Sequence, residues 1–326
     1  MKAILVSYPG GPEQLFLGEY PLPEPGPRDL RVRVHATALN RADILQRKGH
    51  YPPPPGESPI LGLEIAGEIE KVGEQVTSWQ PGDRVCGLIG GGGYAEYALI
   101  HEDMAMPVPD TWEMESAAAL PEAFLTAYQS LVWLGRLSAG ECALIHAGAS
   151  GVGAAAIQLA RLIGAEAIVT ASAGKHDFCK RLGAALAVDY KTEDFAAAIR
   201  SFTKEQGVDM ILDCIGAPYF QKDLDLLRLD GRLVYIAMMG GSKPEAPDLS
   251  PILRKRLSII GTTLRNRSLK YKVELTRSFR QFAWEALESG QIKPFVDRIF
   301  PWEDAAEAHR YMEDNKNQGK IVLKVG

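Results

Sequence analysis

The sharpest chemical signal in this sequence is a glycine-rich stretch near its middle, residues 146–153, which reads HAGASGVG. It follows a short apolar run and opens a helical pattern, which is the context in which a glycine-rich turn binds a pyrophosphate. Small residues let the backbone approach the phosphates, while the helix start offers N–H groups and a favourable dipole. The residues predicted to contact the pyrophosphate are Gly148, Ser150, Gly151, Val152 and Gly153.

The order of these glycines departs from the common GxGxxG pattern, because Ser150 stands where the second glycine is expected. A serine hydroxyl can itself donate to a phosphate oxygen, so the departure is compatible with nucleotide binding. The alternative interpretation is a strand–helix turn packed tightly for structural reasons alone. The strands and helices that alternate around it favour a dinucleotide.

The residues after the next predicted strand indicate which dinucleotide is bound. An NAD site usually places Asp or Glu there, but residues 169–175 read VTASAGK and contain no acid. The hydroxyl of Ser172 and the ammonium of Lys175 suit a 2′-phosphate, and Tyr190 follows the third strand at the same edge. The pattern therefore predicts NADPH. The alternative for Lys175 is a solvated lysine at a helix start, and the nearest acid, Asp177, is expected inside that helix.

Alternating elements surround the turn. Strands are predicted at residues 142–146, 167–171, 208–213, 232–236 and 257–263, and helices at 151–163, 175–182 and 271–287. Gly164 and Gly183 are expected to end the first two helices. The alternation predicts a doubly wound parallel sheet, with residues 257–263 at its edge.

The first third of the chain has a different, β-rich texture. Strands are predicted at residues 30–36 and 64–72, with a turn at 81–83. Five prolines between residues 51 and 59 exclude regular structure there and indicate a rigid loop or the wall of a cleft. Residues 320–324 alternate like an edge strand and are expected to return to this first domain.

Composition excludes several classes of protein. A net charge of −5 over 326 residues does not indicate binding to nucleic acid or to an anionic membrane. No apolar run reaches bilayer length, and the first residues read as a strand rather than as a secretory signal. The four cysteines are too widely spaced for a CxxC pair or a disulfide framework. We therefore expect a reduced, cytoplasmic protein without a nucleic-acid or membrane partner.

Several short motifs, met in order along the whole chain, carry a resemblance to a known family. They are YPGGPE at residues 8–13, ALNRAD at 38–43, GLEIAG at 62–67, PGDRV at 81–85, GYAEY at 93–97, the glycine-rich stretch, and NKNQGKIVL at 315–323. In these motifs the chain resembles the zinc-free quinone oxidoreductase branch of the medium-chain dehydrogenase/reductase superfamily, close to the tumour-suppressor-inducible NADPH quinone oxidoreductases.

The resemblance implies an α/β protein with a GroES-like, β-rich catalytic domain and a doubly wound Rossmann domain. The catalytic domain would comprise residues 1–123 and 266–326, and the Rossmann domain residues 124–265, with the cofactor in the cleft between them. By the same resemblance, Asn40 and Thr126 lie near the nicotinamide. Further cofactor contacts would come from Met238, Met239, Leu264, Asn315 and Asn317. Two edge strands at residues 257–263 would join in a homodimer; the alternative is an edge strand that is covered by its own chain.

The resemblance also argues against zinc. Asn40 occupies the position of a cysteine ligand in the alcohol dehydrogenases of the superfamily, and Leu63 that of a histidine ligand. The cysteine-rich lobe is replaced by the run Gly90 to Gly93. A zinc site needs three or four ligands, so Glu64 alone is insufficient and is expected to form a structural hydrogen bond.

Without a Lewis acid, the enzyme needs an acceptor that is electrophilic enough to accept hydride without polarisation. Quinones do so because reduction makes an aromatic ring; activated alkenes do so less readily, and simple carbonyls need polarisation. Tyr51 is the candidate for positioning the substrate, since a phenol stacks on a quinone or donates to its oxygen; packing on the proline loop is the alternative. The predicted function is NADPH-dependent reduction of a small quinone. The alternatives are an enone or enoyl-thioester reductase and a cofactor-retaining, crystallin-like binding protein.

Overall fold

The structure, a computed structural model, describes residues 1–326. The chain forms two compact units. Unit 1 comprises Met1–Leu125 and Arg265–Gly326, and unit 2 comprises Thr126–Leu264. No helix combines the length and the apolar character that crossing a membrane requires.

Fifteen strands and ten α-helices follow one another along the chain. The strands are β1 (Lys2–Val6), β2 (Leu15–Glu19), β3 (Asp29–Ala38), β4 (Glu64–Val72), β5 (Arg84–Leu88), β6 (Tyr97–His101), β7 (Ala105–Pro107), β8 (Cys142–Ile145), β9 (Glu166–Thr170), β10 (Ala184–Val188), β11 (Val208–Asp213), β12 (Leu227–Tyr235), β13 (Ser258–Gly261), β14 (Val296–Pro301) and β15 (Lys320–Lys324). The helices are α1 (Arg41–Arg47), α2 (Met114–Ala118), α3 (Pro121–Tyr128), α4 (Gly151–Ile163), α5 (His176–Leu182), α6 (Phe195–Phe202), α7 (Phe220–Leu226), α8 (Ser250–Arg254), α9 (Leu269–Glu288) and α10 (Ala305–Glu313).

Unit 1 is built on a seven-stranded sheet. Its strands follow the order β14-β15-β3-β4-β5-β7, with β6 also paired to β3, while β1 and β2 form a separate antiparallel pair. The last strand, β15, pairs with β14 in parallel and with β3 in antiparallel orientation. The predicted return to the first domain is confirmed, but the prediction of an edge strand was wrong. Lys320 made the strand look half-exposed, although its side chain is buried.

Unit 2 contains one six-stranded sheet in which every pairing is parallel, in the order β10-β9-β8-β11-β12-β13. This is the order of a doubly wound dinucleotide-binding sheet, so the predicted fold class is confirmed. The inner strands are fully apolar where they face the core, as at Leu144, Ile168, Ile211 and Leu233. Burial on both faces explains why these strands read as continuous apolar runs.

Most predicted elements of unit 2 have the expected position. Helix α4 ends at Gly164, whose φ of 86° lies in the left-handed region that favours glycine. The helix predicted from residue 175 begins at His176, because Lys175 belongs to a short 3-10 turn, Ala173–Lys175. Strand β13 is shorter than predicted and lies at the sheet edge, as expected.

Candidate functional site

The glycine-rich turn of unit 2 connects the centre of the parallel sheet to α4. Strand β8 ends at Ile145, and Ser150 caps the helix by accepting a hydrogen bond from the Gly153 N–H at 3.0 Å. The Gly148 N–H donates to the Thr170 carbonyl at 3.0 Å, which ties the turn to β9. As the first residues of α4, Gly151 and Val152 have N–H groups that no preceding helical turn can engage. The turn therefore presents donors at the carboxyl edge of the sheet.

Two glycines of this turn are required by packing. A Cβ atom on Gly148 would lie 2.5 Å from Cβ of Val169, and one on Gly153 would lie 2.4 Å from the Ala147 carbonyl oxygen. Neither position accepts a side chain, whether or not a nucleotide binds. The structural interpretation of the motif thus accounts for these two glycines. The placement of the turn, at the carboxyl ends of β8 and β9, is what points to a dinucleotide.

A buried polar cluster at His146 contacts the start of the glycine-rich turn. The His146 ring contacts Thr170 Oγ1 through Nδ1 at 2.9 Å and Asp223 Oδ1 through Nε2 at 3.0 Å. Burial lowers the pKa of His146, but the Asp223 carboxylate outweighs burial and raises it. Asp213 belongs to the same cluster, in which the possible ligand atoms of His146, Asp213 and Asp223 lie within 4.8 Å of one another, and burial raises the pKa of Asp213 to about 6. Both ring nitrogens are engaged within the protein, so the cluster fixes the turn.

The residues predicted to hold a 2′-phosphate lie after two adjacent strands. Ser172 and Lys175 share one turn after β9, in which the Lys175 N–H donates to the Ser172 carbonyl at 2.8 Å, and Tyr190 follows β10. Tyr190 is 43% exposed, and both other side chains are half-buried. Asp177 lies exposed in α5, as predicted. The Asp189 carboxylate beside Tyr190 accepts hydrogen bonds from the Lys191 N–H and Thr192 Oγ1 of its own loop.

The other predicted cofactor contacts divide between the two units. Met238 and Met239 follow β12 and are 47% and 51% exposed, whereas Leu264 and Thr126 are buried; all four belong to unit 2. Asn315 and Asn317 follow α10 in unit 1. In that unit Asn315 Oδ1 accepts from Arg41, and Asn317 Nδ2 donates to the Gly319 carbonyl at 2.8 Å.

The start of α1 in unit 1 holds a buried ionic cluster. The Lys320 ammonium lies 2.7 Å from Glu64 Oε1, 2.7 Å from Asn40 Oδ1 and 2.9 Å from the Leu39 carbonyl oxygen. Asn40 Nδ2 donates to Glu64 Oε1 at 2.8 Å, and Glu64 Oε2 accepts from the Glu122 N–H at 2.8 Å. Three acceptors match the three ammonium donors. The structural hydrogen bond predicted for Glu64 is confirmed. No sequence pattern indicated that Lys320 pairs with this carboxylate.

Asp43 holds the neighbouring backbone in place. Its Oδ2 accepts from the Asn40 N–H at 2.7 Å and its Oδ1 from the Gly62 N–H at 2.9 Å, which joins α1 to the segment before β4. Burial raises the pKa of Asp43 to about 6, although both hydrogen bonds oppose that rise. The Asn40 side chain and its backbone are therefore both fixed by buried partners.

Zinc does not fit this cluster. Zinc binds thiolate, imidazole and carboxylate ligands, and here an amide stands at residue 40 and the buried, apolar Leu63 precedes Glu64. The Lys320 ammonium already supplies a positive charge to the Glu64 carboxylate. Of the four cysteines, only Cys86 belongs to unit 1, and burial raises the pKa of its thiol, which disfavours a thiolate ligand.

Tyr51, the candidate for substrate positioning, is half-buried in the proline-rich segment of unit 1. Its ring centre lies 5.5 Å from the guanidinium carbon of Arg265, a residue that the sequence did not single out. Burial raises the pKa of Tyr51, which keeps the phenol protonated and able to donate a hydrogen bond. The ring therefore lies beside a cation as well as in the proline loop.

Comparison with protein families matches both parts of the chain. The alcohol dehydrogenase GroES-like domain matches residues 26–110, and the zinc-binding dehydrogenase family matches residues 151–282. Rat quinone oxidoreductase is 32% identical over 331 residues, which cover 99% of this chain and 97% of the relative. The human synaptic vesicle membrane protein VAT-1 homolog is 32% identical over 342 residues, covering 100% and 87%.

Solved structures show the same architecture. An NAD-dependent alcohol dehydrogenase aligns with a TM-score of 0.88 at 34% identity over 100% of both chains. The CurK enoyl reductase aligns with a TM-score of 0.88 at 28% identity, covering 100% of this chain and 99% of that one. A mycobacterial protein in complex with NADPH aligns with a TM-score of 0.87 at 31% identity, covering 99% and 100%.

These matches cover both units, the β-rich, GroES-like unit and the unit that contains the parallel sheet and the glycine-rich turn. The chain belongs to the medium-chain dehydrogenase/reductase superfamily and is an oxidoreductase that uses a nicotinamide cofactor.

Proposed function

We propose that this protein reduces quinones with NADPH and without a metal. The observation that carries the proposal is the Lys320–Glu64–Asn40 cluster of unit 1, in which an ammonium satisfies the groups that a metal would need. Without a Lewis acid at this position, the acceptor itself must be strongly electrophilic, and a quinone gains aromaticity on reduction. The identity to rat quinone oxidoreductase over nearly the whole chain supports this choice of acceptor.

For the cofactor, the glycine-rich turn fits a pyrophosphate at the helix start, with Ser150, Gly151 and Val152 as contacts. Ser172, Lys175 and Tyr190 favour NADPH, because a 2′-phosphate attracts donors and positive charge. The solved relatives include one described as NAD-dependent and one in complex with NADPH, so the proposed preference depends on these three residues. When bound, the reduced nicotinamide supplies the hydride.

In the proposed site Tyr51 positions the quinone by stacking or by a hydrogen bond from its phenol. Asn40 and Thr126 are assigned to the nicotinamide by resemblance, and the buried partners of Asn40 would keep its amide in one orientation. Met238, Met239, Leu264, Asn315 and Asn317 are proposed as further contacts of the cofactor.

A second candidate is reduction of a carbon–carbon double bond conjugated to a carbonyl. The similarity to the CurK enoyl reductase over the full chain favours it. Both reactions deliver hydride to an electrophilic carbonyl compound, so the two candidates differ only in the acceptor. A crystallin-like protein that keeps the cofactor without turnover is the non-enzymatic alternative.

An assay of NADPH oxidation with three conditions separates these functions. Purified protein receives a quinone, an enone of similar size, or no acceptor, and absorbance of the reduced nicotinamide is followed. Quinone reduction predicts the highest kcat/KM with the first. An enone that is reduced faster would move the assignment to the second candidate, and binding of NADPH without turnover of either acceptor would contradict both enzymatic functions.

A further inference from the structure

Arg265 of unit 1 is a buried cation without a counter-ion. Only 4% of the residue is exposed, and it forms no ion pair in the structure. Its Nε donates to the Gly90 carbonyl at 2.7 Å, while Nη1 and Nη2 are buried and have no acceptor. Burial of an unpaired charge costs free energy, and proteins normally pair such a group. Where they leave one, a functional site is the first hypothesis.

The acidic residues nearest Arg265 are Asp43, Glu57 and Glu122, and none of their carboxylates is hydrogen-bonded to Nη1 or Nη2. Asp43 accepts hydrogen bonds from the Asn40 and Gly62 N–H groups, and Glu57 lies 4.0 Å from the Lys272 ammonium. A guanidinium nitrogen needs an oxygen within hydrogen-bond distance, and unit 1 supplies none to Nη1 or Nη2. The acceptor that suits these two donors is therefore an oxygen brought by a bound molecule.

The glycine run Gly90–Gly93 supplies the carbonyl that anchors Arg265 and packs closely against residues 57–58. A Cβ atom on Gly90 would lie 2.0 Å from Cδ of Glu57, and one on Gly91 would lie 2.4 Å from the Ser58 carbonyl oxygen. The Gly91 contact is with backbone, so the run lies close against residue 58 next to the Gly90 carbonyl that accepts from Nε. Donors held in place before a reaction stabilise developing charge without reorganisation.

The Tyr51 ring adds a flat apolar surface beside the Arg265 guanidinium. The guanidinium carbon of Arg265 lies over the Tyr51 ring, 5.5 Å from its centre. A planar acceptor packed against the ring beside the guanidinium would have its carbonyl oxygen near Nη1 and Nη2, which lack an acceptor. A stacking surface beside a forked cation suits one class of molecule, a planar conjugated carbonyl compound. Quinones and enones share this chemistry.

We infer that Arg265 binds the carbonyl oxygen of the acceptor and stabilises the negative charge that forms there during hydride addition. This inference rests on the proposed function and adds a catalytic residue to it. An enone takes the hydride at its β-carbon, and a quinone takes it at one carbonyl oxygen. In both cases the displaced electron pair moves through the conjugated system to the carbonyl oxygen beside Arg265. A proton from water completes either a saturated carbonyl compound or a hydroquinone, and oxidised nicotinamide is the second product.

The two acceptor classes should depend on Arg265 to different degrees. An enone becomes an enolate, whose charge is concentrated on the oxygen next to the guanidinium. A quinone becomes aromatic, and that gain lowers the need for an external charge. Loss of Arg265 is therefore expected to slow enone reduction more than quinone reduction, a difference that a purely structural arginine would not produce.

The test uses Arg265→Gln and Arg265→Lys, with Arg84→Gln as the matched control. Arg84 also donates to backbone carbonyls of unit 1, at Pro109 and Trp112, but lies outside the proposed site. Removal of one charge-stabilising donor typically lowers kcat about 10²–10³-fold. We expect that loss for Arg265→Gln with the enone, a loss about tenfold smaller with the quinone, a milder effect in Arg265→Lys, and no change in Arg84→Gln. The KM for NADPH should stay constant in all three variants.

A second measurement uses the wild-type protein alone and stays informative if Arg265→Gln does not fold. 2-Naphthoate and 2-naphthalenemethanol are compared as inhibitors; they share a ring system but differ in charge. Hydrogen bonds to a charged group favour naphthoate by about ten- to a hundredfold in Ki. Equal inhibition by the two compounds would overturn the inference, as would equal losses for enone and quinone in a folded Arg265→Gln. Absence of turnover in the wild type would instead overturn the proposed function.

Discussion

Replacement of Lys320 by methionine is expected to destabilise unit 1 by about 3–5 kcal/mol, the usual cost of removing one partner from a buried ion pair. The ammonium has three bonds, of which the one to Glu64 Oε1 at 2.7 Å joins opposite charges. Glu64 has no exposed surface. After the substitution, its carboxylate keeps only the hydrogen bonds from Asn40 Nδ2 and the Glu122 N–H.

The same strand offers a matched control. Lys324, also in β15, lies 3.1 Å from Glu115, but its side chain is 61% exposed. An exposed ion pair contributes about 0–1 kcal/mol, so Lys324→Met should change stability little. Adding Glu64→Gln to Lys320→Met removes the unpaired charge and should restore more than half of the lost stability.

The assay is urea unfolding at pH 7, followed by tryptophan fluorescence, with the free energy of unfolding compared among the four proteins. If Lys320→Met costs no more than Lys324→Met, the ammonium does not neutralise Glu64, and the electrostatic account of the metal-free site fails. If the double variant is less stable than Lys320→Met, the cost comes from lost packing and not from an unpaired charge.

Three further expectations concern other parts of the molecule. Lys175→Ala should weaken NADPH binding by about tenfold to a hundredfold, toward the lower figure because the site is partly exposed, and leave NADH binding unchanged; titration of both cofactors, with the exposed Lys180→Ala as control, measures this. Burial lowers the pKa of His309 to about 3, so the unfolded chain takes up the proton first as the pH falls below 6.5. His309 should thus cost the folded state about 2 kcal/mol between pH 7 and pH 5, a slope that urea unfolding shows and that His309→Gln should remove. Finally, β13 is an edge strand whose Ile259 is 40% exposed, and we propose that two such edges pair in a homodimer; light scattering should give a dimer mass for the wild type and a monomer mass for Ile259→Asp.

The elements that sequence analysis located well were those with a local signature. Helix α4 was predicted residue by residue, because a small-residue turn precedes it and Gly164 ends it. Strands β4 and β11 were also predicted with the observed bounds. Apolar periodicity and capping act over a few residues, so the sequence displays them directly.

The polar partners in unit 1 had no such signature. Lys320 pairs with Glu64 across 256 positions, and Arg265 bonds Gly90 across 175. A lysine at a strand end is typical of a solvated surface, so the pattern of residues 320–324 predicted an edge strand. Gly90 to Gly93 were interpreted only as the replacement of a zinc lobe, whereas in the structure the Gly90 carbonyl accepts a hydrogen bond from a buried arginine. Such pairings follow from the topology of the sheet and the loops, which a local pattern does not encode.

The most direct test of the central claim is quinone turnover by protein freed of metal. The protein is dialysed against a strong chelator, its zinc content is measured by elemental analysis, and NADPH oxidation with a quinone is compared before and after dialysis. The account predicts unchanged kcat and KM at a zinc content far below one atom per chain. Activity that disappears with the chelator and returns with stoichiometric zinc would contradict it.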